Sequence, residues 1–189
     1  MSDLPPQENS QGTYLELFTI REEIDSVGED IEEPFLPPPS AVSVWNAILF
    51  YYFPAEEGYL PFFKWVSDIH ASHTVRQHVP NGNDSYVKYN KFFVIESRST
   101  QNKVSNAMWT HAKDQLITCI NSARDTGNTS IPLADTVYGA VAIGHYVKMY
   151  RYNRHERTVT PCNEEDREYH VRRQCATIHN ILQQIKDSH

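Results

Sequence analysis

Two carboxylates twelve residues apart, Asp84 and Glu96, have the types and spacing to act together. Asp84 is expected to begin one strand and Glu96 to end the next, and in a tight hairpin those two points are neighbours. A carboxylate pair there can share a hard divalent cation, because Mg²⁺ takes oxygen ligands and commonly uses one or two carboxylates beside water and phosphate oxygens. Such an ion, Mg²⁺ or Mn²⁺, activates a water and neutralises charge developing on a phosphodiester. Arg98 lies two residues beyond Glu96, so an extended strand points it to the same side, where its cation is placed to hold the phosphate. The competing interpretation is local: Asp84 stabilises a turn, Glu96 ends a strand, and Arg98 pairs with one of them.

The elements that must position these residues follow from pattern. Ala41 to Phe53 is an apolar run with Trp45, Ile48, Leu49 and Tyr52 at helical spacing, Ser40 as its N-cap and Pro54 as its stop. A second helix is expected from Pro61 to about Ala71, with Phe62, Phe63, Val66 and Ile69 as its apolar face. Thr74 to Val79 reads as a strand. The turn signal Asn81-Gly82-Asn83-Asp84 precedes a hairpin of Tyr86–Tyr89 and Phe92–Glu96, broken at Asn90-Lys91; its second strand is apolar on both faces and therefore central. A helix over 104–123 buries Trp109, Ala112, Leu116, Cys119 and Ile120. Val137–Ile143 and Tyr146–Tyr152 form another hairpin around Gly144-His145, 153–163 is a charged linker, and 164–186 is a final amphipathic helix. The fold class is α/β (α+β): a mixed central sheet flanked by helices.

With these elements in order, Asp84 and Glu96-Ser97-Arg98 resemble the PD…(D/E)XK signature of the restriction-endonuclease-like superfamily. Gln115 falls where RecB-like members carry the glutamine of a QxxxY motif, and Val137–Gly144 with Val147–Tyr150 is similar to fungal proteins of this type. The resemblance covers 74–152. It implies a nuclease-like core of hairpin, helix and following strand, Mg²⁺ or Mn²⁺ on Asp84 and Glu96, Arg98 on the scissile phosphate, and Gln115 orienting the site. Three positions depart from the pattern. Asn83 replaces the proline, Arg98 the lysine and Cys119 the tyrosine. Arginine keeps the charge but cannot deprotonate to act as a base. The expected function is therefore a metal-dependent phosphodiesterase or nuclease-like protein, either active or degenerate.

Two other function classes stay open. One is a small-molecule enzyme of fungal secondary metabolism on a repurposed nuclease fold. In it Trp45, Tyr52, Phe62, Phe63, Trp65, Tyr86 and Trp109 would line an apolar pocket, with Asp84, Glu96 and His111 near it for acid–base chemistry. The other is a non-catalytic interaction module with the acidic tail as its binding arm, marked by an exposed apolar patch. Lesser candidates are His70 and His73 on one helix face, Ser97 and Ser99 with no evident histidine partner, and Lys148, Arg151, Arg154 and Arg157 interleaved with Tyr146, Tyr150 and Tyr152 as a track for a phosphate backbone.

Charge is divided unevenly. Residues 1–40 hold ten acidic residues and one basic one, Arg21, while 41–189 hold fourteen acidic and sixteen basic residues and all nine histidines. With Pro5, Pro6, Pro34 and Pro37–Pro39, the first 39 residues have the composition of a disordered acidic tail, although Thr13–Ile20 alternates enough for a docked arm. Residues 40–189 then form a single domain. Cys119, Cys162 and Cys175 have no metal-binding or disulfide spacing. No signal peptide and no run of 18 apolar residues is found, so the expected setting is cytoplasm or nucleus, with nucleic acid or a small organic substrate as partner and no membrane.

Overall fold

The computed structural model describes residues 5–27, 41–67, 70–79, 88–98, 104–122, 136–153, 155–163 and 165–189. In chain order these form α1 (Phe18–Ser26), α2 (Ala41–Tyr52), β1 (Tyr59–Ser67), β2 (His70–Val79), β3 (Lys88–Arg98), α3 (Asn106–Ser122), β4 (Thr136–Ile143), β5 (Tyr146–Asn153), β6 (Thr158–Pro161), β7 (Tyr169–His170) and α4 (Cys175–Asp187). The strands make one mixed sheet in the order β1-β2-β3-β4-β5-β6, with β7 also on β5. β1, β2 and β3 run antiparallel in sequence; α3 then crosses over and returns the chain as β4, parallel to β3. The α+β class and the mixed sheet flanked by helices agree with the sequence reading.

Alternation divides the central strand between two cores. Phe93 and Ile95 of β3 pack with α1, α2 and α4, while Val94 packs with Trp109, Ala112, Leu116 and Ile120 of α3. β3 is buried on both faces, as a strand must be between two helical layers. Gly139 of β4 lets α3 approach: a Cβ there would stand 2.8 Å from a Leu116 methyl.

Four expectations are corrected. Residues 61–71 are not a helix, because β1 takes Tyr59–Ser67 and pairs with β2 in register from Tyr59↔Gln77 to Trp65↔Ala71. Aromatic and β-branched residues favour a pleated surface, and Pro61 is tolerated on an edge strand. Asn90-Lys91 is not a break: Lys88–Arg98 is one strand. The register there steps from Val75↔Phe93 to Arg76↔Lys91, leaving Phe92 as a bulged residue. The bulge lets the adjacent Phe92 and Phe93 both reach Phe53, at ring separations of 5.5 and 5.9 Å. The charged linker contains β6, and the last helix begins only at Cys175, after β7.

The fourth correction concerns the N-terminal arm. Over residues 5–27 it is docked, with Tyr14, Ile20 and Ile24 buried in the α2/α4 core. The Tyr14 hydroxyl donates to the Val171 carbonyl, and Arg172 pairs with Asp25. Glu8 caps α4 from a distance: its carboxylate accepts from the Thr177 amide at 2.8 Å and the Thr177 hydroxyl at 2.6 Å. A carboxylate there satisfies an otherwise unpaired first-turn amide and complements the helix dipole. The rest of the expected tail, residues 1–4 and 28–39, and the Ser40 cap lie outside the described residues.

Candidate functional site

Glu96, Arg98 and Gln115 come together. Glu96 and Arg98 occupy the α3-facing side of β3, beside Ser72 and His70 of β2 through the pairs Ser72↔Glu96 and His70↔Arg98. α3 lies over this surface, and the Arg98 guanidinium donates to the Gln115 side-chain carbonyl. Asp84, the second expected metal ligand, lies outside the described residues. The hairpin meant to juxtapose Asp84 and Glu96 does not form as expected, because Glu96 belongs to the same strand as Lys88 and its antiparallel partner is β2.

Glu96 is 2% exposed. Its Oε2 accepts from His70 Nε2 at 2.6 Å, a short charge-assisted contact. Around it stand groups that sequence reasoning missed. Lys91, aimed at this face by the Phe92 bulge, donates from Nζ to the Cys119 carbonyl at 3.0 Å. Ser72 Oγ lies 3.2 Å from Cys119 Sγ. Burial lowers the Lys91 pKa, opposed by the Cys119 and Glu96 charges. Burial likewise lowers that of Arg98, opposed by Glu96. The Cys119 thiol is raised by burial, with Lys91 and the Ser72 hydrogen bond pulling the other way. It is therefore not an activated nucleophile.

Among the described residues the charge balance around Glu96 is cationic. One carboxylate faces Arg98 and Lys91 together with an imidazole and a thiol. Among the described residues no three His, Cys, Asp or Glu side chains converge as a metal-holding group. An imidazole, a thiol and two cations do not make the oxygen-rich set that Mg²⁺ takes, so the described residues alone do not fit that ion.

His70 and His73 do not share a face. They are three apart on a strand, which sends them to opposite sides of the sheet. His73 pairs instead with Ser97, the histidine partner that the sequence did not reveal. His73 Nε2 donates to Ser97 Oγ at 2.8 Å, and that hydroxyl donates to the Ala71 carbonyl at 3.2 Å. Both side chains are fully buried, and desolvation lowers the His73 pKa to about 4. His73 Nδ1 has no hydrogen-bond partner among the described residues. This makes a rigid neutral pair inside the sheet.

The aromatics proposed to line a pocket are dispersed. Trp45, Tyr52 and Trp109 are packed in the cores, while Phe62, Phe63 and Trp65 are exposed. Tyr86 lies outside the described residues. Phe63 and Trp65 border a groove of about 340 Å³ with α1 and α2 residues; neither Glu96 nor His111 lines it. Tyr150 and Tyr152 are buried, so their rings offer no stacking face in the basic run. Lys148 lies over Trp109 and Lys113 over Tyr150, at 5.3 and 4.9 Å from the ring centres. No described helix is long and apolar enough to cross a membrane. No family model matches the chain, and neither does any curated protein or solved structure.

Proposed function

We propose that this chain is a PD-(D/E)XK-like phosphodiester-binding protein whose cleavage centre is closed. The observation that carries this reading is the state of Glu96: almost fully buried and bound to His70, with Arg98 beside it on the same strand face and held by Gln115. Support also comes from the succession of the β2–β3 pair, α3 and β4, since the sequence resemblance implies a hairpin, a helix and a following strand in that order. Two cations facing one carboxylate favour an anion over a second positive charge. Arg98 suits a bidentate phosphate contact and cannot serve as a base. A role for Mg²⁺ or Mn²⁺ rests in this reading on Asp84 joining Glu96.

The test is anisotropy with labelled single- and double-stranded DNA and RNA across a salt titration, beside cleavage assays and calorimetry with Mn²⁺. Binding is expected to weaken with salt, and Arg98→Ala is expected to reduce it about 10–100-fold, as one charged hydrogen-bonded contact of about 1.5–3 kcal/mol would. Wild type is expected to leave all four substrates intact. Efficient Mn²⁺-dependent cleavage lost in Glu96→Ala would replace the closed-centre reading with an active nuclease. No binding to any of the substrates would end the phosphodiester reading.

A further inference from the structure

β1 is the terminal strand of the sheet, and its described strand partner is β2 alone. Natural sheets usually blunt such an edge, because its outward N–H and C=O groups are a template for another strand. Here the nine-residue strand, up to about 30 Å long at ~3.3 Å per residue, is apolar on both faces and open to solvent. Phe62 and Val66, on the α3 side, are 56% and 55% exposed; Phe63 and Trp65, on the α2 side, are 41% and 51% exposed. On the α2 side, α1 and α2 leave an open groove beside Phe63 and Trp65. Pro61, Lys64 and a register shift between Trp65 and Ser67 blunt it; Pro61 lies near one end and the shift near the other.

We propose that the outer edge of β1 pairs with β1 of a second copy, antiparallel about a two-fold axis, to continue the sheet across a dimer. Three observations favour a second copy as the occupant. A partner strand must be apolar on both faces to cover this one, and β1 is itself such a strand. In a two-fold antiparallel pair one residue meets its own copy on the axis, and like charges directly opposite are unfavourable. An axis at Phe63 or Trp65 therefore sets aromatic against aromatic and keeps the two Lys64 ammonium groups apart. The side chains supply part of the area that a dimer needs. Three half-exposed aromatics contribute about 300 Å², and Leu60 and Val66 bring the side-chain total to about 400 Å², roughly half of what one partner contributes to a standard interface before backbone and groove contacts are added. The groove beside Phe63 and Trp65 shares Thr19 and Glu23 with a second groove at Phe18, itself 64% exposed, so the open surface continues beyond the strand.

Sedimentation equilibrium on the full chain between about 1 and 100 µM tests this, a range that resolves a micromolar dissociation constant. Wild type is expected to be a dimer at the upper end. Phe63→Lys and Trp65→Lys, at exposed positions that leave the core intact, are each expected to weaken association at least 100-fold while circular dichroism and the unfolding midpoint stay close to wild type. Hydrogen exchange supplies an independent readout: amides of β1 are expected to gain protection with concentration in wild type and not in the variants. A wild type that stays monomeric throughout overturns the proposal. So does a dimer that both variants retain, since another surface then holds it.

Discussion

The arm over residues 5–27 and the edge strand β1 exchange the places that composition assigns them. The arm belongs to the most acidic and proline-rich part of the chain, yet Tyr14 and Ile24 are fully buried. β1 reads Tyr-Leu-Pro-Phe-Phe-Lys-Trp-Val-Ser, with four aromatic residues, yet seven of its nine residues are exposed. Burial follows from what a segment finds to pack against. The arm supplies a few apolar side chains at helical spacing, Ile20 and Ile24, to a gap between α2 and α4, and Glu8 to an uncapped helix end. Beside β1 the helices α1 and α2 leave a groove at Phe63 and Trp65, so most of its apolar side chains stay exposed among the described residues.

The largest test of that difference is a matched pair of truncations. Tyr14→Ala removes a buried ring and a hydrogen bond and is expected to cost about 3–5 kcal/mol. Phe62→Ala, in a monomeric background such as Trp65→Lys, is expected to change stability by less than about 0.5 kcal/mol. Urea unfolding measures both. Equal costs would mean that the arm is not part of the cooperative unit.

Acid is expected to act on the β1 side through His73, whose ring stands 6.1 Å from Phe63. Desolvation holds this imidazole's pKa at about 4 in the folded chain, below its ordinary value of 6.5. The unfolded chain therefore binds the proton first as pH falls. Stability is complete above about pH 6.5 and declines toward pH 4, by up to about 3 kcal/mol from this one residue. His73→Gln is expected to flatten that decline in unfolding measured across pH 4–7. An unchanged slope would show that His73 is not the group responsible. His170, lowered to about 4 by burial and by the nearby His145 and Arg173 charges, adds the same sign at the turn where the arm docks.

The smallest effect belongs to the cap. Glu8→Ala is expected to cost about 1 kcal/mol, as loss of an N-cap does. Hydrogen exchange is expected to rise locally in α1 and the first turn of α4, with β1 unaffected. A response spread evenly over the sheet would contradict a local strap.

Much of the core was legible because its periodicities are local. Trp45, Ile48, Leu49 and Tyr52 define α2; Trp109, Ala112, Leu116 and Ile120 define the inner face of α3; Val137–Ile143 and Tyr146–Tyr152 are the β4–β5 hairpin. Glu96 and Arg98 share a strand face by two-residue alternation alone, and the following helix brings Gln115 above them. The sequence could not supply the rest, because it depends on register and on partners far along the chain. A one-residue bulge at Phe92 sends Lys91 to the α3 face, and antiparallel pairing with β2 sets His70 against Glu96 and His73 against Ser97 across 26 and 24 residues. The helix expected at 61–71 failed for the same reason: Phe62, Phe63 and Val66 fit either period, and pairing with β2 selected the strand. Residue types and short spacings thus determined which elements form and which side chains share a face. Tertiary structure decided that the acidic arm is buried, that the aromatic strand is exposed and that Glu96 is closed by a histidine, because burial and charge pairing depend on neighbours brought together only by the fold.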